Sequence, residues 1–327
     1  MIIAVDAAGG DYYPKNPVTG GLAALEERQD LSILFIGPED VVKKELNEHK
    51  YPKDRVDVAD APEVIGMHES PAQAVKTKKN SSIVRGLGVH AQGKANAFVS
   101  AGNTGALMAA SAFALGRLEG VIRPSIATVY PNIRGMSLMI DVGANLEVKP
   151  EMLHQFGTMG DIYAREVMNI ETPRVALLNV GEEEEKGTEI LKQANQLLQG
   201  LPNFIGNVEG RDILYGNADV FVCDGYVGNI LLKFGETIPS AFEHILLKEI
   251  ERQQLPSDQI SLISNLLKKA FEPFDYQRVG GVPFLGVNGV SLVGHGGSST
   301  TAMKNMILSA ARMVEEKVNK KIVASLN

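Results

Sequence analysis

A single cysteine, Cys223, stands in a chain of 327 residues, so no internal disulfide can form and a reducing cytoplasm is the expected home. Basic residues do not predominate. Lys and Arg number 32 against 39 Asp and Glu, and a net charge of -7 argues against a general nucleic-acid binder. The opening Met1-Ile2-Ile3-Ala4-Val5-Asp6 carries no basic region ahead of a long apolar stretch, so no secretory leader is expected. One charge-free stretch, Ala95 to Gly116, is long enough to suggest a membrane span. It is interrupted by Asn96, Ser100, Gly102, Asn103, Thr104, Gly105 and Ser111, and reads as strand, turn and buried helix.

Several signatures are also missing. There is no G-x-x-x-x-G-K-[ST] loop, and no G-x-G-x-x-G follows a strand, so the common nucleotide folds are unsupported. G-x-S-x-G is absent, which removes the serine hydrolase elbow. No Cys/His cluster occurs, so neither a metal nor a cofactor is expected. Cys223, within Val220-Phe221-Val222-Cys223, has no base beside it in sequence and reads as a small buried residue. No internal repeat or low-complexity segment interrupts the chain.

What is present is a soluble composition, 44% hydrophobic and 22% charged, with enough length for a large core. Short apolar runs alternate with helical patterns, which predicts an α/β fold on a mainly parallel sheet. Ser125–Tyr130 and Met136–Ile140 flank a turn-like Asn132–Gly135, the pattern of an antiparallel insertion. Residues 230–272 are helical with one break at Leu255-Pro256-Ser257-Asp258, a hairpin longer than a sheet crossover needs. Its apolar stripe packs either on the parent domain or on a second copy.

The chemistry is sought at glycine-bearing corners that follow strands. Ser100-Ala101-Gly102-Asn103-Thr104-Gly105 turns from an apolar strand into a small-residue helix, and a helix start can hold an anion. Similar corners are Asp141–Asn145, Asn179–Gly181, Asp224–Asn229 and Gly294–Ser299. In a parallel sheet such loops leave one edge and can build one site. The set is rich in Gly, Asn, Ser and Thr, with Lys186, Lys233 and His295 as candidate cations, which suits an oxyanion and developing charge on an acyl oxygen. Each asparagine can equally be a turn residue, Lys186 a surface ion pair and His295 a structural histidine. Lys76, Lys78 and Lys79, with Arg85 nearby, form either a solvated face or a docking patch for an acidic partner.

Seven motifs in register resemble the bacterial phosphate acyltransferases, the acyl-[acyl-carrier-protein]:phosphate transacylases of phospholipid synthesis. They are Asp6-Ala-Ala-Gly-Gly-Asp11, Ser100–Leu107, Asp141–Asn145, Leu178–Glu183 with Lys186-Gly187, Gly206–Glu209, Val222–Asn229 and Gly280–Gly286. The likeness covers nearly the whole chain. Two places depart from the family's pattern: Ala8 stands where methionine is usual, and His295-Gly296-Gly297-Ser298 has one glycine more.

The resemblance implies a three-layer α/β/α fold like that of isocitrate and isopropylmalate dehydrogenases, as one catalytic domain over residues 1–327 with residues 230–272 as a protruding helical hairpin. It implies a homodimer and peripheral contact with the inner face of the membrane. It also implies transfer of a long-chain acyl group from acyl-carrier protein to inorganic phosphate, for a downstream membrane glycerol-3-phosphate acyltransferase. Lys186 and His295 are the catalytic candidates. Ser100, Gly102, Asn103, Thr104, Gly105, Asn145, Asn179, Gly181, Asn229, Ser298 and Ser299 are the phosphate and substrate candidates. Lys76, Lys78, Lys79 and Arg85 are candidates for docking the acidic carrier protein. The rival readings are a metal- and NAD-dependent decarboxylating dehydrogenase of the same fold and a non-catalytic lipid or phosphate sensor.

Overall fold

Short apolar runs assemble into an 11-stranded sheet in the computed structural model, which describes residues 1–274, 277 and 280–326. The strands are β1 (Ile2–Asp6), β2 (Ser32–Gly37), β3 (Val56–Asp60), β4 (Ala97–Ser100), β5 (Ser125–Asn132), β6 (Gly135–Ile140), β7 (Val175–Leu178), β8 (Phe204–Val208), β9 (Val220–Val222), β10 (Val282–Leu285) and β11 (Val290–Val293). Their order across the sheet is β3-β2-β1-β4-β11-β10-β5-β6-β9-β7-β8.

Most neighbours are parallel. β10, however, pairs antiparallel with β11 and with β5, and β5 pairs antiparallel with β6. These successive reversals leave β6, β9, β7 and β8 running opposite to β3, β2, β1, β4 and β11. The expected antiparallel insertion is therefore present, and it divides the sheet into two halves of opposite sense. The expectation that all the glycine corners leave one edge does not hold.

Side chains alternate between the two faces, as the period of a strand requires. Ile3 and Val5 join one buried cluster and Ala4 the other, and Ala97 and Val99 are likewise separated from Phe98. The first cluster packs α1 (Lys15–Glu27), α2 (Glu39–Asn47), α6 (Pro150–Glu166), α7 (Glu189–Leu198) and the last two helices, α11 (Thr300–Glu315) and α12 (Val318–Leu326). The second packs α3 (Pro71–Thr77), α4 (Ser82–Ala91), α5 (Thr104–Ala114), α8 (Gly210–Tyr215) and the start of α9 (Gly225–Gln253).

Three helices show where local chemistry sets their ends. α9 starts at Gly225, because Asp224 caps it by accepting from the Tyr226 and Val227 amides, each at 2.9 Å. Asn229 thus sits on a helix and not in a loop. α8 was not expected, although Glu209 and Asp212 form a capping box at its start. The last helical stretch breaks at Lys317, whose φ is +53°, into α11 and α12.

α9 contains Pro239, which removes a ladder bond that costs about 3 kcal/mol in a helix interior. α10 (Ser257–Phe271) follows it, and the two touch through Phe242 and Phe271, whose ring centroids are 6.1 Å apart. Among the described residues no helix is long and apolar enough to cross a membrane.

Candidate active site

The corners form two groups, one at each edge of the sheet. β1, β4 and β11 are neighbours, and residues 6–11, 100–105 and 294–299 leave their carboxyl ends together. β6, β9 and β7 are neighbours too, and residues 141–145, 224–229 and 179–187 leave theirs at the opposite edge.

Within the first group the chains are bound to one another. The Gly294 amide donates to the Ser100 carbonyl and the Asp11 amide to the Gly296 carbonyl, both at 2.8 Å. Ser100 is fully buried and donates to Asp6 Oδ2 at 2.6 Å, while its oxygen accepts from the Gly102 amide at 2.9 Å. Asp6 Oδ1 accepts from the Ala8 amide at 3.0 Å. Burial pushes the Asp6 carboxyl up from its ordinary range, against the pull of Ser100, Ser82 and two backbone amides.

Asn103 caps α5 by accepting from the Ala106 amide at 3.0 Å. Its Nδ2 donates to the carbonyls of Gly66 and Met67 at 3.1 Å and of Glu69 at 3.2 Å. Gly105 lies against Pro71. Ser298 donates from Oγ to the His295 carbonyl at 2.6 Å, and Ser299 caps α11 by accepting from the Ala302 amide at 3.2 Å.

The second group is built alike. Asp141 is fully buried and accepts from the amides of Gly143, Ala144 and Asn145 at 3.2, 2.9 and 2.8 Å, and from Asn145 Nδ2 at 2.7 Å. Asn145 also donates to the Pro124 carbonyl at 2.8 Å. Burial raises the Asp141 carboxyl while these donors lower it, and burial prevails. Gly228 packs so closely that any side chain there would collide with the Asp141 carbonyl. Cys223 is buried, its thiol donates to that same carbonyl at 3.3 Å, and burial pushes the thiol up, so it stays protonated.

Asn179 accepts from the Val180 amide at 2.8 Å and donates to the Lys186 carbonyl at 3.1 Å. Gly181 is buried beside the Glu183 and Lys186 side chains, and Lys186 itself is exposed.

Between the two groups lies a cavity of about 360 Å³ on the face of the sheet that holds the second cluster. Its floor is β5, through Ile126, Thr128 and Tyr130. Val282 and Val293 extend that floor, and Val142 enters from the opposite edge. Asn229, Leu232, Lys233 and Glu236, at helical spacing along one side of α9, form a wall, with Thr104 and His295 across from them. Most of the lining is apolar, and its polar groups are the Asn229 amide, the Thr104, Thr128 and Tyr130 hydroxyls, the His295 imidazole, the Lys233 ammonium and the Glu236 carboxylate. Lys233 donates to Glu236 Oε2 at 2.8 Å, and His295 Nδ1 accepts from the Gly297 amide at 3.1 Å.

Four of the residues named from sequence therefore reach the cavity: Thr104, Asn229, Lys233 and His295. The side chains of Ser100, Asn103, Asn145, Asn179, Ser298 and Ser299 hold loops and helix starts. Gly102, Gly105 and Gly181 shape those loops, and Lys186 is not part of the lining. Lys233 lines the cavity, and its spacing from Asn229 on a helix begun at Asp224 is the signal that marks it. Of the docking candidates, Lys78 donates to Glu69 at 2.6 Å and to the Val64 carbonyl at 2.7 Å, and Arg85 donates to the Asp60 carbonyl at 2.6 Å. Lys76 and Lys79 are exposed. Among the described residues no group of three or more His, Cys, Asp and Glu could hold a metal.

A family model described as fatty acid synthesis protein matches residues 1–321. The phosphate acyltransferase of Chlorobaculum parvum is 49% identical over 338 aligned residues, covering 100% of this chain and 99% of that one. That of Salinibacter ruber is 48% identical, covering 97% and 95%. A phosphotransacetylase from Streptococcus pyogenes has a similar structure, with a TM-score of 0.62 at 17% identity over 96% of this chain and 94% of that one. A branched-chain phosphotransacylase from Enterococcus faecalis gives 0.57 at 16%, covering 95% and 99%. A 4-hydroxythreonine-4-phosphate dehydrogenase from Klebsiella pneumoniae gives 0.54 at 13%, covering 96% and 99%. At such identities the structural likeness carries the fold alone.

Proposed function

The chain belongs to the phosphate acyltransferase family, and from that premise we propose that it moves a long-chain acyl group from acyl-carrier-protein thioester to inorganic phosphate. The observation that supports this most is a cavity lined mostly by apolar side chains together with an amide, an imidazole and an ammonium, which suits a product that is a phosphate at one end and a hydrocarbon at the other. Phosphate would lie among Thr104, Asn229, Lys233 and His295. The chain would lie over Ile126, Val142, Leu232, Val282 and Val293, each buried methylene being worth about 0.8 kcal/mol.

The reaction asks little of acid–base catalysis. A phosphate oxygen attacks the thioester carbon, the C–S bond breaks, and the sulfur takes the proton that hydrogen phosphate brought. Phosphate is largely ionised at neutral pH, as a second pKa of about 6 for a phosphate ester indicates. A thiol of pKa about 8.5 is a good leaving group. Positioning and charge stabilisation then supply the rate, the former up to roughly 7–11 kcal/mol. Attack is direct, since the one thiol is buried and protonated.

The reading extends to partners. Lys76 and Lys79 would receive the acidic carrier protein. Phe234, Phe242, Ile245, Leu262 and Leu266 are more than half exposed on α9 and α10, and would pair with the same face of a second copy. That pairing would keep the expected hairpin on the isocitrate-dehydrogenase-like body, and sedimentation as a monomer at micromolar concentration would remove it. Transient contact with the membrane would hand acyl phosphate to a glycerol-3-phosphate acyltransferase of phospholipid synthesis. Failure to co-float with anionic vesicles would argue against that contact.

The test of the function is direct. Free carrier-protein thiol should appear only when phosphate is added, together with a new acyl phosphate resonance in the ³¹P spectrum. Thiol release at the same rate without phosphate would make the protein a hydrolase, and no release at all would leave a binding protein.

A further inference from the structure

The cavity floor carries hydroxyls that the fold does not use. Thr128 and Tyr130, two residues apart on one face of β5, are each 6% exposed. Neither side chain has a hydrogen-bond partner among the described residues, and no polar atom sealed from solvent goes without one. Both hydroxyls must therefore open onto the cavity they line. The contrast with the neighbouring polar side chains is plain, since Ser100, Asn103, Asn145 and Ser298 are each satisfied within their loops.

The wall opposite Tyr130 is shaped to its tip. Gly235 of α9 packs so closely that any side chain there would collide with the Tyr130 hydroxyl. Gly235 lies between Lys233 and Glu236, which face the same cavity. The phenol oxygen thus ends against α9 at Gly235, which Lys233 and Glu236 flank in the chain. A hydroxyl that opens onto a ligand cavity and bonds no group of the fold is free to bond a ligand there.

Resting on the acyl-transfer reading above, we propose that the Tyr130 hydroxyl donates a hydrogen bond to the thioester carbonyl oxygen and to the oxyanion that replaces it. As a phosphate oxygen bonds to the carbonyl carbon, the C=O pair moves onto that oxygen, where the phenol stabilises it. When the pair returns, the C–S bond breaks and the sulfur leaves with the proton from phosphate. The phenol keeps its own proton throughout, and burial, which pushes its pKa up, favours that state.

Tyr130→Phe removes only the oxygen. Its kcat should fall on the order of 10²-fold, as for one oxyanion donor, with the KM for phosphate unchanged. Its Tm should stay level, because the hydroxyl opens onto the cavity and bonds no group of the fold. A kcat within twofold of wild type would overturn the proposal, as would a fall in Tm alongside the fall in rate, which would make the hydroxyl structural. Wild-type thiol release that depends on phosphate is the control: its absence defeats the acyl-transfer reading itself, whereas its presence with an active Tyr130→Phe defeats this inference alone.

Discussion

Asn103 offers the sharpest separation between residues that hold the site and residues that face it. Its Oδ1 caps α5, and its Nδ2 binds three carbonyls of residues 66–69. Asn103→Ser keeps a cap and loses the loop. Asn103→Ala loses both. A lost cap costs about 1 kcal/mol. Part-buried carbonyls left without their donor cost up to about 1–3 kcal/mol more. The alanine variant should therefore lose about 2–4 kcal/mol in urea unfolding. At about 2.1 cal/mol/K per residue the unfolding entropy is roughly 0.7 kcal/mol/K for this length, so Tm should fall by about 3–6 °C. The serine variant should fall between alanine and wild type. Thr104→Ala, next in sequence but facing the cavity, should leave Tm within about a degree and lower activity instead. An Asn103→Ala protein with an unchanged midpoint and a Thr104-like loss of activity would show that Asn103 touches substrate and that the loop assignment is wrong.

The remaining predictions concern charge. Lys233→Ala should raise the KM for phosphate about tenfold or more, because a charged hydrogen bond is worth about 1.5–3 kcal/mol; a KM within twofold in initial-rate assays would take Lys233 out of the phosphate site. His90 donates from Nδ1 to the Ala95 carbonyl at 2.9 Å and accepts at Nε2 from the Val290 amide at 3.0 Å, so the fold holds it neutral. Burial lowers its pKa below 6.5, so its contribution is complete above that pH and is lost as pH falls toward the folded-state value. Denaturant midpoints of wild type should therefore decline below about pH 6.5 more steeply than those of His90→Gln, and parallel curves would refute the assignment. Reversing Lys76 and Lys79 to Glu should raise the KM for carrier protein at low salt and converge with wild type at high salt, and equal values at low salt would remove that docking surface.

Much of the molecule is legible in local pattern. Short runs such as Ile3–Val5 and Val220–Val222 announce buried strands, and Asn132–Gly135 announces the hairpin between β5 and β6. The strand-to-helix corner at Ser100 is legible because glycine, asparagine and threonine crowd a strand end. Which atoms those residues spend is not legible. An amide at a corner looks the same whether it binds a ligand, as Asn229 is free to do at the cavity, or three carbonyls, as Asn103 does. The reversal of the sheet depends on β10 (Val282–Leu285), far along the chain from β4 (Ala97–Ser100) yet one strand removed from it in space, and only tertiary pairing reveals it. The cavity follows from that reversal. Tyr130 and Lys233 belong to it through a strand face and a helix face that no single stretch of sequence displays together.

The central claim is that one cavity holds both ends of the product. A crystal structure with a long-chain acyl phosphonate, which cannot be cleaved at the phosphorus–carbon bond, tests it most directly. The account predicts the phosphonate among Asn229, Lys233 and His295, with the alkyl chain over Ile126, Val142 and Val282. Phosphonate bound at Asn179 and Lys186, or a chain lying along the exposed face of α9 and α10, would contradict it.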